Sequence, residues 1–120
     1  MRLLASVLLA LVAALHLYFL VLEMFLWRRP LGRKVFRLTE AQAEATATLA
    51  ANQGLYNGFL AAGLLWSLVA PAPQRASLAA FFGGCVIVAG IFGAVTVSRR
   101  ILLVQALPAA LALAAVWASG

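Results

Sequence analysis

The chain has 120 residues, of which 66% are hydrophobic and only 10% charged; a soluble domain of this size cannot cover so much apolar side chain with so few charges. The net charge of +6 lies in gaps between apolar runs, a pattern that fits lipid headgroups and membrane topology and argues against a nucleic-acid partner. The single cysteine, Cys85, excludes an internal disulfide and, within an apolar run, reads as a small core residue.

Four runs approach the roughly 20 apolar residues needed to cross a bilayer. They lie at about Leu3 to Leu26, Ala45 to Val69, Ser77 to Val97 and Ile101 to Trp117. No short alternating segments of the β-barrel kind occur. The expected fold is therefore all-α: a polytopic four-transmembrane-helix bundle in a single domain, with helices at about 3–26, 40–69, 77–97 and 101–117. The first run continues for more than 20 residues without a small-x-small site followed by polar sequence, so it reads as a span rather than a cleaved signal.

Pro30 and Gly32 are expected to stop the first helix. Thr39-Glu40-Ala41-Gln42 reads as a capping box that opens the second, with Thr39 as cap and Gln42 reaching back. From there to Pro71 is roughly 45 Å of helix, longer than the hydrocarbon layer, so its first turns should extend into the cytoplasm. Pro71-Ala72-Pro73 ends it, Ser98-Arg99-Arg100 makes a tight hairpin, and Pro108 is expected to kink the fourth helix.

Lysine and arginine set the orientation. Arg28, Arg29, Arg33, Lys34 and Arg37 in the first loop and Arg99 and Arg100 in the third share one side; the other side holds Arg2 and Arg75. This predicts a multi-pass membrane protein with cytoplasmic basic loops and both termini outside. Trp27 then falls at the inner interface, and Trp66 and Trp117 at the outer.

Counting depth from these boundaries gathers the polar residues in the cytoplasmic half. Glu23, Asn52, Gln53, Thr96 and Gln105 lie there, drawn from all four helices, while His16 and Asn57 lie near mid-membrane. A carboxylate in the membrane needs a partner or a proton, and side-chain amides in hydrocarbon need hydrogen bonds. The expected site therefore comprises Glu23, Asn52, Gln53, Asn57, Gln105 and His16, with Arg99 and Arg100 supplying charge. It would open to the cytoplasm and take an anionic or amphipathic small molecule or membrane lipid. The structural alternative is that the same groups only join helices, at roughly 0.6–2 kcal/mol per contact. Ala50, Gly54, Gly58 and Ala62 form a small-residue stripe, as do Ala89 and Gly93; such stripes let helices approach closely and make Gly54, Gly58 and Gly93 a candidate homo-oligomer interface.

No Cys/His metal spacing, nucleophile elbow, phosphate-binding glycine loop or dinucleotide fingerprint occurs in the sequence, so it specifies neither a metal nor a cofactor and names no reaction.

The run GRKVF (Gly32 to Phe36), followed by LAANQGLYNGFLAAGLLW (Leu49 to Trp66), resembles the bacterial domain-of-unknown-function family 1304. LHLYFLVLEMFLW in helix one and GAVTVSRRILLVQALPA across helices three and four fit as well, so the resemblance covers essentially the whole chain. It implies a small four-helix integral membrane protein and brings no activity with it. The architecture is also similar to that of the membrane-associated eicosanoid and glutathione metabolism proteins, whose second helix carries an Arg-Ala-x-x-Asn-x-x-Glu motif. Ala50-Ala51-Asn52-Gln53-Gly54-Leu55-Tyr56-Asn57 takes the matching place, without the arginine and with Gly54-Leu55 at the acidic end. That resemblance implies a glutathione-transferase-like membrane enzyme as one alternative function. A small multidrug-type transporter with Glu23 as its membrane carboxylate, and a structural membrane subunit, are the others. The seven-to-two charge bias disfavours the transporter, because exporters that insert in both orientations need a weak bias.

Overall fold

The computed structural model describes residues 3–119. Arg2, counted above on the outer side, lies outside them. Every regular element among the described residues is helical. The helices are α1 (Leu3–Met24), α2 (Pro30–Phe36), α3 (Glu40–Val69), α4 (Ala72–Thr96) and α5 (Leu102–Ser119).

Among the described residues there are thus five helices rather than the expected four. The additional one is α2, seven residues within the basic first loop. Pro30 occupies its first turn, where the missing N–H is harmless and φ is already helical. Arg37 closes it in the left-handed region, φ 56° and ψ 49°, while the Leu38 amide donates to the Arg33 carbonyl at 2.9 Å. Pro30 therefore starts a helix instead of stopping α1, which ends at Met24. Gly32 serves close approach: a Cβ there would collide with the Leu26 carbonyl and lie 3.0 Å from Trp27 Cα.

The capping box forms as expected. The Thr39 amide donates to Gln42 Oε1 at 2.9 Å and the Gln42 amide to Thr39 Oγ1 at 3.1 Å. The proline-rich break also holds, since α3 ends at Val69 and Pro71 caps α4. Pro108 is accommodated by a π-helical opening of α5 at Leu102–Ala106, where the Leu107 amide reaches back to the Leu102 carbonyl. Inserting one residue into the turn before a proline is a recognised way of absorbing its missing donor and its ring.

Among the described residues three helices are long and apolar enough to cross a membrane: α1, α4 and α5. The length of α3, 30 residues, is ample, but Asn52, Gln53 and Asn57 interrupt its apolar run.

The chain divides into two compact units. One comprises Met1–Ala14 and Leu60–Gly120. Its core is built from Leu9, Val12, Leu64, Val86, Ala112 and Val116, with Gly83 against Leu113 and Gly90 against Ala106 bringing α4 and α5 close. The other, Leu15–Phe59, contains the end of α1, all of α2 and the first part of α3. Leu22, Ala43 and Ala50 are buried in it.

Candidate functional site

The polar chemistry of unit Leu15–Phe59 begins with a close helix contact. A Cβ on Gly54 would lie 2.7 Å from Met24 Cγ and 3.1 Å from Glu23 Cβ, and one on Gly58 would lie 2.7 Å from Leu20 Cδ1. Glycine at these positions lets α3 lie directly against α1. Three residues along from Gly54, Asn57 donates its side-chain amide to Glu23 Oε1. Both residues are buried, Glu23 at 7% exposure and Asn57 at 8%. A carboxylate removed from water is retained where a donor satisfies it, and Asn57 is that donor.

Glu23 also lines a groove of about 480 Å³. One wall comes from the end of α1 and the segment after it, with Met24, Phe25, Trp27, Arg28 and Arg29. The other is a face of α3 formed by Glu44, Ala47, Thr48 and Ala51, residues at helical spacing that share one side. Arg28 Nη1 donates to Glu44 Oε1 at 3.1 Å and to Oε2 at 3.3 Å across the mouth. Trp27 Nε1 donates to Thr46 Oγ1 at 3.0 Å, and its ring packs at 4.7 Å on Phe36 of α2. That contact holds α2 beside the groove. Arg29, on the rim, is exposed, and Phe25 presents 67% of its surface. The groove thus combines a buried acceptor, the exposed guanidinium of Arg29 and an apolar lip.

The expected site residues separate on inspection. Glu23 and Asn57 are brought together. Asn52 and Gln53 are exposed on α3 and make no hydrogen bond to that pair. His16 is fully buried, its ring edge-to-face with Phe19 at 5.5 Å. Arg99 and Arg100 are exposed and Gln105 lies in the π-helical turn, all three in the unit containing Leu60–Gly120. Gly54 and Gly58 pack against this chain's own α1, and Gly93 against Ile101. Trp27, Arg28, Glu44 and Thr48 are groove residues that sequence reasoning missed. The available signal was the helical spacing of Glu44, Thr48 and Ala51, which puts them on one side of α3.

The sequence matches the family described as "Protein of unknown function (DUF1304)" over residues 10–117. It is 30% identical over 115 residues to the uncharacterized protein YpaA of Lactococcus lactis subsp. lactis (strain IL1403), covering 94% of this chain and 96% of that protein. No solved structure matches the chain.

Proposed function

The chain belongs to the DUF1304 family of proteins of unknown function, and from its geometry we propose that it is a multi-pass inner-membrane protein whose groove beside Glu23 binds the charged headgroup of an amphipathic molecule. On this reading α3 is the fourth span. Its apolar end enters the hydrocarbon, and its first turns, from the capping box to Glu44, stand in the cytoplasm with the basic loops. Both termini lie outside, as the charge bias requires.

One observation carries the reading: a buried carboxylate, already held by Asn57, faces a groove rimmed by Arg28 and Arg29. The second carboxylate oxygen of Glu23 can accept from an amine or hydroxyl of the headgroup. The guanidinium of Arg29 matches a phosphate, which it can bind bidentately. Phe25 and Met24 offer apolar surface for the start of an acyl chain. The groove volume, about 480 Å³, is within the range of small-molecule sites. The position suits a molecule arriving sideways from the cytoplasmic leaflet.

The test is native mass spectrometry of the protein extracted in mild detergent, with the retained lipid identified after extraction. The wild-type protein is expected to keep a phosphate-bearing amphiphile. Glu23→Gln with Arg29→Ala is expected to lower its occupancy about tenfold or more, the loss of a charge-assisted hydrogen bond at each end. Equal retention by a folded double variant would refute the reading.

A further inference from the structure

Helix α3 carries two stripes with the alternating three- and four-residue spacing of a coiled-coil seam. The first, Ala43, Ala47, Ala50, Gly54 and Asn57, faces inward: Gly54 meets Met24 and Glu23, and Asn57 bonds Glu23. The second, Ala45, Leu49, Asn52, Tyr56 and Phe59, has the same spacing and every member is exposed. Leu49 shows 73% of its surface, Tyr56 54% and Phe59 56%. Each stripe contains one asparagine. Asn57 has its partner within the chain; Asn52 has none among the described residues, nor has the adjoining Gln53.

We propose that this second stripe docks a second copy of the chain, α3 against α3 in parallel, with the Asn52 side chains of the two copies hydrogen-bonded to each other. The proposal rests on the reading of α3 as a span. Asn52 is then roughly 25 Å from the Val69 end of the helix, within a hydrocarbon layer about 30 Å thick. An amide at that depth without a partner is unfavourable by an amount that lipid cannot offset.

Three features select a second copy over other occupants. The amide of asparagine both donates and accepts, so the same residue on another copy satisfies it. The seven-to-two charge bias sets every copy the same way up, so paired α3 helices are parallel and each residue meets its counterpart at its own depth. The stripe itself bears no charge, so a two-fold pairing brings no like charges together. A single asparagine in an otherwise apolar seam also fixes register, because any slip leaves both amides unpaired. The glycine stripes, by contrast, are filled within the chain by Leu20, Met24 and Ile101.

The proposal is tested by oxidative crosslinking in native membranes, using single cysteines in the full chain with Cys85→Ala as background. Leu49→Cys, Tyr56→Cys and Phe59→Cys sample the seam; Leu55→Cys and Leu65→Cys, both 42% exposed, sample α3 beside it. Seam positions are expected to give a product of twice the chain mass, at least about fivefold more than the others, as knobs along one stripe should. Adding Asn52→Leu to Leu49→Cys is expected to weaken association about tenfold. No crosslinked product, equal product at all five positions, or a product containing another protein would overturn the proposal. Alkylation of Phe59→Cys by a membrane-impermeant reagent separates the two readings. Rapid labelling of intact membranes overturns both the span and the seam. Protection without crosslinking overturns the seam alone and leaves the groove, which is read by lipid retention, untouched.

Discussion

Asn57 on α3 donates its side-chain amide to the Glu23 carboxylate on α1, and both residues are buried. The contact joins a close backbone approach to a polar demand. Gly54, less than one turn away, allows the helices to meet, and the asparagine meets the acid at the distance thereby set. Removing the donor leaves a buried acceptor without its side-chain partner.

Asn57→Ala is therefore expected to lower stability by about 1–3 kcal/mol, the range for orphaning a buried polar group. Asn57→Asp should be worse, since two acceptors would face each other without a donor. Glu23→Gln retains an acceptor oxygen and should be milder than either. Thermal unfolding in detergent micelles ranks the three. An Asn57→Ala protein as stable as the wild type would show that the pair does not hold α1 to α3.

Much of this is legible in the sequence, and the two failures have different causes. The capping box at Thr39 and Gln42, the break at Pro71 and the long helices follow from local rules, and local rules suffice for them. The helix α2 was missed because PLGRKVF is too short to show a period, and its proline sits where it can start a helix as well as stop one. Depth counting found Glu23 and the amides but gave height without azimuth. Asn52 and Asn57 are five residues apart, about 140° around a helix, so one turns inward while the other turns out. Which of them meets Glu23 depends on the rotation of α3 against α1, and that is set by the glycine contact rather than by the polar residues.

The Arg28–Glu44 pair at the groove mouth should contribute little to folding. Their side chains are 62% and 69% exposed, and such pairs couple by about 0.2–1 kcal/mol, less in high salt. A double-mutant cycle of Arg28→Ala and Glu44→Ala measured by unfolding should fall in that range. Lipid retention by the same variants should change more than stability does, because Arg28 stands on the rim of the groove. If stability moved and retention did not, the pair would be a brace and not part of a binding site.

The capping box predicts a local effect. Thr39→Ala removes the acceptor for the Gln42 amide and should cost about 0.5–2 kcal/mol at the start of α3. Gln42→Ala removes the reciprocal acceptor for the Thr39 amide. Hydrogen exchange should accelerate in the first turn of α3 in either variant and stay unchanged near Phe59. Faster exchange along the whole helix would mean that the cap sustains α3 throughout, contrary to a helix held by its packed face.

Two glycines on α4 should respond with opposite sign. A Cβ on Gly84 meets nothing within 4 Å, so Gly84→Ala is expected to gain up to about 1 kcal/mol from helix propensity. A Cβ on Gly90 would lie 2.7 Å from both the backbone nitrogen and Cβ of Ala106 and 3.0 Å from its Cα. Ala106 closes the π-helical turn before Pro108, so its backbone cannot withdraw without disturbing the hydrogen bonds that accommodate the proline. Gly90→Ala should therefore push α4 from α5 and lose about 1–3 kcal/mol or more. Thermal unfolding of the two variants, side by side, reads the difference directly. A tolerant Gly90→Ala would mean that the opening turn of α5 is compliant, and the close approach of α4 would then not be what holds it in place.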